Sequence, residues 1–198
     1  MKNLLTLLFI LVLNACTKND ATPQDQLPPA TTIGANTAGC YINGELLIPK
    51  NGSQAIGGSP NYGLVKTQGN NFWPNKSDYW ELDISNKKDF ENLSVYVWIK
   101  NMQTGIGDYI IGQSNGELNS YGPNNNQIFA HIKKNGILKT YFSSTNSGII
   151  NIKRCDLGLG ISIFSGTFNC TLYNKDNSSE TIQIDNGRFD INGLTLNQ

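Results

Sequence analysis

The sequence predicts an all-β protein, an antiparallel β-sandwich or a partly open barrel of about ten short strands. Three observations predict it. Apolar residues recur with period two, the pattern of strands with one buried face. Turn chemistry separates these runs: the 198 residues include 27 Asn and 20 Gly, both of which tolerate positive φ. No stretch sustains a helical period, and no 20–50-residue repeat suggests a solenoid or propeller.

The strands follow in order. CYINGELLI (40–48) is two apolar runs around Asn43-Gly44, a strong hairpin signal. YGLVKT (62–67) reads as a strand. DYWELDI (78–84) alternates, with Trp80, Leu82 and Ile84 on one face and Tyr79, Glu81 and Asp83 on the other. LSVYVWIK (93–100) sets Leu93, Val95, Val97 and Ile99 opposite Tyr96, Trp98 and Lys100. GDYIIG (107–112) follows, then QIFAHIKKNGILKTYF (127–142), a hairpin turning at Asn135-Gly136. GIINIKR (148–154), ISIFSGTFNCTLYN (161–174) and ETIQIDNGRFDI (180–191) complete the set. KKDFENL (87–93) has room for one helical turn.

The domain organisation is read from the N-terminus. Met1-Lys2-Asn3 is a short positive start, and Leu4 to Leu13 is apolar apart from Thr6. That run is too short to span a bilayer, which takes about 20 apolar residues, and it fits the apolar region of a secretory signal. Leu13-Asn14-Ala15-Cys16 resembles the lipobox of bacterial lipoproteins. The resemblance implies cleavage after residue 15 and acylation of Cys16, so that residues 1–15 are a signal peptide. Three acyl chains on Cys16 hold a protein on a membrane almost permanently. Residues 16–32, polar and carrying Pro23, Pro28 and Pro29, read as a lipidated extended tether. Thr17 is not the Asp that retains enteric lipoproteins at the inner membrane, and Lys18-Asn19-Asp20 loosely resembles a surface-export signal of Bacteroidetes lipoproteins. The expected location is therefore the outer membrane, lipid-anchored, on its periplasmic or cell-surface side. Residues 33–198 form one β domain.

Fifteen Lys+Arg balance fifteen Asp+Glu, and no basic stripe occurs, which argues against nucleic acid as a partner. With Cys16 lipidated, Cys40, Cys155 and Cys170 remain in a compartment where disulfides persist. Their wide spacing, with His131 as the sole histidine, does not suit a metal site. Cys40 shares parity with Ile42, and Cys170 with Phe168 and Leu172, so both face the core. Cys155 lies on the polar parity of its strand, and a tight hairpin around Leu157–Gly160 would leave it some 30 Å from Cys170. A Cys40–Cys170 disulfide is expected.

Gly34-Ala35-Asn36-Thr37 with Cys40-Tyr41-Ile42-Asn43-Gly44, Ser165-Gly166-Thr167-Phe168, and Gly187-Arg188-Phe189-Asp190 form an ordered set of motifs. Together they resemble a family of small, uncharacterised Bacteroidetes lipoproteins over residues 33–191. The resemblance implies a secreted β-rich domain and brings no activity with it. Gly166 within a strand suits a bulge or a close backbone approach. Arg188 and Asp190 share a face, and a surface ion pair is the expected use of both.

No hydrolytic motif accompanies these elements. His131 belongs with the half-exposed residues of its strand, and no Gly-x-Ser-x-Gly elbow or phosphate loop occurs. Glu81 and Asp83 are adjacent on one face, without the opposed placement that glycoside hydrolysis needs. DNSSE (176–180) resembles part of a calcium loop but reads more simply as a hairpin turn. The surface with most chemical character is aromatic. Should strands 78–84 and 93–100 be neighbours, Tyr79, Tyr96 and Trp98 share a face with Glu81 and Asp83, which suits a glycan or a protein ligand. The competing expectation is that NFWPN (71–75) or a second layer covers this face. The reading is a noncatalytic binding or accessory module of the cell envelope, needing no cofactor, ahead of a purely structural envelope protein and well ahead of a hydrolase.

Overall fold

The computed structural model describes residues 26–53, 57–69, 78–88, 93–101, 105–158 and 160–198. The expected signal peptide, Cys16, the first part of the tether, the NFWPN segment and most of the expected helical turn lie outside these residues. The strands are β1 (Thr37–Ile42), β2 (Glu45–Leu47), β3 (Leu64–Gly69), β4 (Tyr79–Ser85), β5 (Leu93–Lys100), β6 (Gly107–Ile110), β7 (Gln127–Lys134), β8 (Ile137–Gly158), β9 (Ile161–Asn174) and β10 (Thr181–Asn192). They form one antiparallel sheet in the order β2-β1-β10-β9-β8-β7-β5-β4-β3, with β6 on the far half of β8. The sheet curls into a half-barrel, the partly open barrel of the two expected architectures.

The turns form for the reason their residues suggest. Asn43 and Gly44 have φ of 48° and 81°, and Asn135 and Gly136 of 52° and 78°, the paired positive values of a two-residue hairpin turn. Every described non-glycine residue with positive φ is an Asn, which is one physical use of the high Asn content.

One strand is longer than expected. The arm of the second hairpin and GIINIKR are a single 22-residue strand, β8, with register shifts between Ser143 and Gly148 and between Ile152 and Arg154. The polar stretch 144–147 does not break it because its backbone finds other partners. Ser114 N–H donates to Ser143 O, Asn146 N–H to Ile111 O, and Ile111 N–H to Gly148 O, at 2.9 to 3.1 Å.

The alternation sorts the core as expected. Trp80, Leu82 and Ile84 of β4 and Val95, Val97 and Ile99 of β5 are buried on the inner face. Trp80 reaches across the interior to Phe164 of β9 and Phe189 of β10, with ring centroids 5.3 and 5.4 Å away. These contacts are possible because the sheet wraps round on itself. Chain segments span its opening. Lys50 N–H donates to Ser85 O at 3.0 Å, and Asn197 Nδ2 donates to Leu64 O at 2.7 Å.

The expected Cys40–Cys170 disulfide is corrected: no disulfide forms among the described cysteines. Cys40 is on β1 and Cys170 on β9, and β10 lies between them. Two strand spacings are about 10 Å, while a bridge needs Cα atoms within about 7 Å. Parity placed both thiols correctly in the core, but two strands apart. Burial pushes the Cys40 thiol up to about 12 and the Cys170 thiol up as well, so neither ionises readily.

The motifs distant in sequence meet on β10. Gly187 to Asp190 lies between Thr37–Gly39 of β1 and Ser165–Phe168 of β9. A Cβ on Gly166 would stand 2.9 Å from the Phe189 ring and 2.5 Å from Asn151 O, so the close approach needs glycine. Arg188 and Asp190 do not pair with each other. Arg188 Nη1 donates to Pro28 O at 3.2 Å. The buried Asp190 carboxylate accepts four hydrogen bonds: from Thr31 Oγ1 at 2.6 Å and from the N–H groups of Ile33, Gly34 and Ala35 at 3.0, 2.8 and 3.2 Å. Residues 31–35 thus form a strap held across the outer face of β10.

Candidate functional site

The outer face of the sheet is built by the residues that alternate with the core. Register places one cross-strand row on it: Asp83 of β4, Tyr96 of β5, Phe129 of β7, Phe142 of β8 and Tyr173 of β9. Each is directly opposite the next, so four aromatic side chains form a ladder perpendicular to the strands. Tyr96 and Phe129 stack at 4.7 Å with an interplanar angle of 16°. Phe129 meets Phe142 edge-on at 6.3 Å, and His131 sets its edge against Tyr96 and Phe129, both at 5.5 Å.

The segment from Ile111 to Asn126 crosses the middle of this ladder. Gln127, fully buried, clamps it: its Oε1 accepts from Ser114 Oγ at 2.6 Å and Asn115 N–H at 3.1 Å, and its Nε2 donates to Glu117 O at 2.5 Å. A 3-10 turn at Asn119–Tyr121 then sits on β3 and β4 and over Trp98 of β5. Glu81 Oε2 accepts from Asn119 N–H at 2.9 Å, and Trp98 Nε1 donates to Asn119 O at 3.3 Å. Trp98 and Glu81 are therefore buried, at 4% and 7% exposure. Tyr79 stacks on Trp98 at 6.0 Å. Among the described residues, the second layer over this face is this crossing segment.

The five residues read from sequence thus divide. Tyr79, Trp98 and Glu81 support or contact the crossing segment. Tyr96, Asp83 and the edge of Glu81 line a recess of about 130 Å³ with Val65, Thr67 and Leu118. Ligand pockets for small molecules run from about 300 to 1,000 Å³, so this recess suits one side chain or one small group. Burial raises the Glu81 pKa, with Asp83 adding to it against the opposing Asn119 and Thr67 hydrogen bonds. Burial lowers that of His131, and the Asp83 charge acts in the opposite sense. Asp83 bonds to Ser85 and, at 3.3 Å, to Lys87. Among the described residues no group of three or more His, Cys, Asp or Glu is placed to hold a metal ion.

At the other end of the ladder the crossing segment leaves an open groove of about 510 Å³. Phe142 and Tyr173, a half-buried cross-strand pair, form its floor. Gln113, Ser144, Asn174, Lys175 and Ser178 line it around this pair. Its walls are fixed from behind. Gly116 lies on the Phe142 ring, where a Cβ would be 2.7 Å away. The 174–181 turn is pinned by Glu180, which accepts from Lys139 Nζ at 2.7 Å, Tyr141 Oη at 2.5 Å and Asn174 Nδ2 at 2.9 Å. These donors hold the Glu180 carboxyl down at about 2, so the DNSSE turn is built on an internal ion pair. Sequence reading missed this groove. Phe142 and Tyr173 lie 31 residues apart, and only the β8–β9 register makes them neighbours. Comparison with known proteins returns no match: no family model, no curated relative and no solved structure aligns with this chain.

Proposed function

We propose that this chain is a lipid-anchored envelope protein, in keeping with the Bacteroidetes lipoproteins its motifs resemble, and that its β domain binds a glycan without transforming it. Cys16 carries the acyl chains, and the β domain is the binding module at the outer membrane. The observation that carries the reading is the aromatic ladder ending in the open Phe142–Tyr173 groove. Aromatic planes match the C–H faces of sugar rings, and the surrounding amide and hydroxyl groups match their hydroxyls. A floor already held in place loses little side-chain freedom on binding.

The test is titration of an oligosaccharide panel into the mature chain, followed by calorimetry. The expected result is at least one binder whose affinity falls about tenfold in Tyr173→Ala, the loss of roughly 1.4 kcal/mol of contact, and is unchanged in Tyr96→Ala. Silence across the panel refutes the glycan reading. The burial of Trp98 and Glu81 favours a second reading, a structural envelope protein, for which that silence is the expected outcome.

A further inference from the structure

In Leu172-Tyr173-Asn174-Lys175 the strand period continues past the end of β9. Lys175 N–H donates to Thr140 O at 2.9 Å, one step beyond the Tyr141–Asn174 pair. Lys175 therefore falls on the same face as Tyr173, about 7 Å along the strand. It stands in the row beside the aromatic ladder, next to Thr140 and, through the β7–β8 register, His131. An ammonium group is thus set at the edge of a floor made of two rings, Phe142 and Tyr173.

The nearby carboxylates are matched elsewhere. Glu180 belongs to Lys139, at 2.7 Å, with Tyr141 and Asn174 as further donors. Asp83, at the far end of the ladder, belongs to Lys87, at 3.3 Å. Glu117 and Asp176, close in sequence to the groove residues, are exposed and do not line it. Among the described residues that line the groove, Lys175 is the sole charged side chain. It takes part in none of the ion pairs among the described residues. Asn174 is committed to its own turn, by Nδ2 to Glu180 and by Oδ1 to Asp176 N–H. The polar side chains left to a ligand are Lys175, Gln113, Ser144 and Ser178, and each carries a donor.

We propose that the groove takes an acidic sugar, whose ring lies on Phe142 and Tyr173 and whose carboxylate meets Lys175 Nζ. The inference rests on the glycan reading above and names the class of glycan. A sugar stacks by its C–H face whatever its charge, so the two rings do not choose between neutral and acidic residues. Lys175 makes the choice, because a ligand carboxylate meets an attractive charge and no opposing acid on the lining. One ammonium with hydroxyl and amide donors suits a singly charged carboxylate. A phosphate, with up to two charges, is better met by Arg forks or several cations, and neither lines this groove.

The test titrates the mature chain with pairs of probes: short oligomers of galacturonate, glucuronate and mannuronate, each beside its methyl ester. Esterification removes the charge and keeps ring and length. At least one acid oligomer is expected to bind about fivefold more tightly than its ester, the upper range for a single exposed ion pair. Raising the salt from about 0.01 to 1 M, which shortens the Debye length from roughly 30 to 3 Å, should erase that advantage. Lys175→Gln changes an exposed side chain and leaves the N–H bond to Thr140 in place. It should remove the advantage and leave the affinity of the ester as it was. Tyr173→Ala should weaken both members of the pair. Equal binding of acid and ester, binding confined to neutral glycans, or an acid preference that survives Lys175→Gln overturns the inference and leaves the glycan reading standing. If neutral and acidic oligomers are alike silent, the glycan reading falls and the inference falls with it.

Discussion

Replacing Asp190 by Ala removes the acceptor for four donors at once. Its carboxylate takes Thr31 Oγ1 and three consecutive backbone N–H groups within 2.6 to 3.2 Å, and it is 1% exposed. Hydrogen bonds to a charged group contribute about 1.5 to 3 kcal/mol each, so the gross loss is roughly 6 to 12 kcal/mol. That total is not realised, because a strap without its acceptor lifts off and its donors recover water. The expected cost is therefore about 3 to 4 kcal/mol, the strap's docking energy. For a domain of this size it lowers Tm by about 6 to 16 °C. Hydrogen exchange at residues 33–35 should rise toward the free-chain rate, while exchange in the β4–β5 core changes little. Asp190→Asn, which keeps one oxygen, should lie between. The pH dependence has a definite sign. Burial raises the Asp190 pKa, and the Thr31, Gly34, Ala35 and Ile33 bonds outweigh it, so the folded value is below the ordinary one. The stabilisation is therefore present above the unfolded pKa of about 3.9 and is lost as pH falls through the lower folded value. A Tm within about 2 °C of the wild type, with strap amides still protected, would falsify the account of the strap as a carboxylate-held element.

The remaining predictions concern other layers of the structure. Glu81 has a raised pKa, so its contribution is present below about pH 4.3 and lost as pH rises through the higher folded value. Glu81→Gln keeps an acceptor for Asn119 and should flatten this loss in chemical denaturation between about pH 4 and 7; an unchanged slope would sink that explanation. Gly166→Ala places a methyl 2.5 Å from Asn151 O and should cost about 1 to 3 kcal/mol by overpacking, read from the denaturation midpoint. Cys40 and Cys170 should resist alkylation in the native protein and react on unfolding; rapid native labelling, or a peptide map joining the two, would contradict their placement.

What a sequence states about a strand is local. Alternation is a property of neighbouring residues, so the inward set Trp80, Leu82, Ile84, Val95, Val97 and Ile99 was legible before any pairing was known. The Asn-Gly turns were legible for the same reason, since positive φ is a demand on two adjacent residues. The tertiary structure decided everything that depends on which strands lie side by side. Parity sent Cys40 and Cys170 to one core, yet β10 came between them. The merging of two apolar runs into β8 depended on backbone partners from residues 111–114. The face carrying Tyr79, Glu81, Asp83, Tyr96 and Trp98 was correctly grouped, because β4 and β5 are consecutive neighbours. Its extension to Phe129, Phe142 and Tyr173 required three further registers, and the segment that covers Trp98 follows no period at all. Sequence determined which side of each strand faces inward because that choice is made by hydrophobicity residue by residue. The fold alone decided which outward rings meet, because register is set by contacts between segments that the chain keeps far apart.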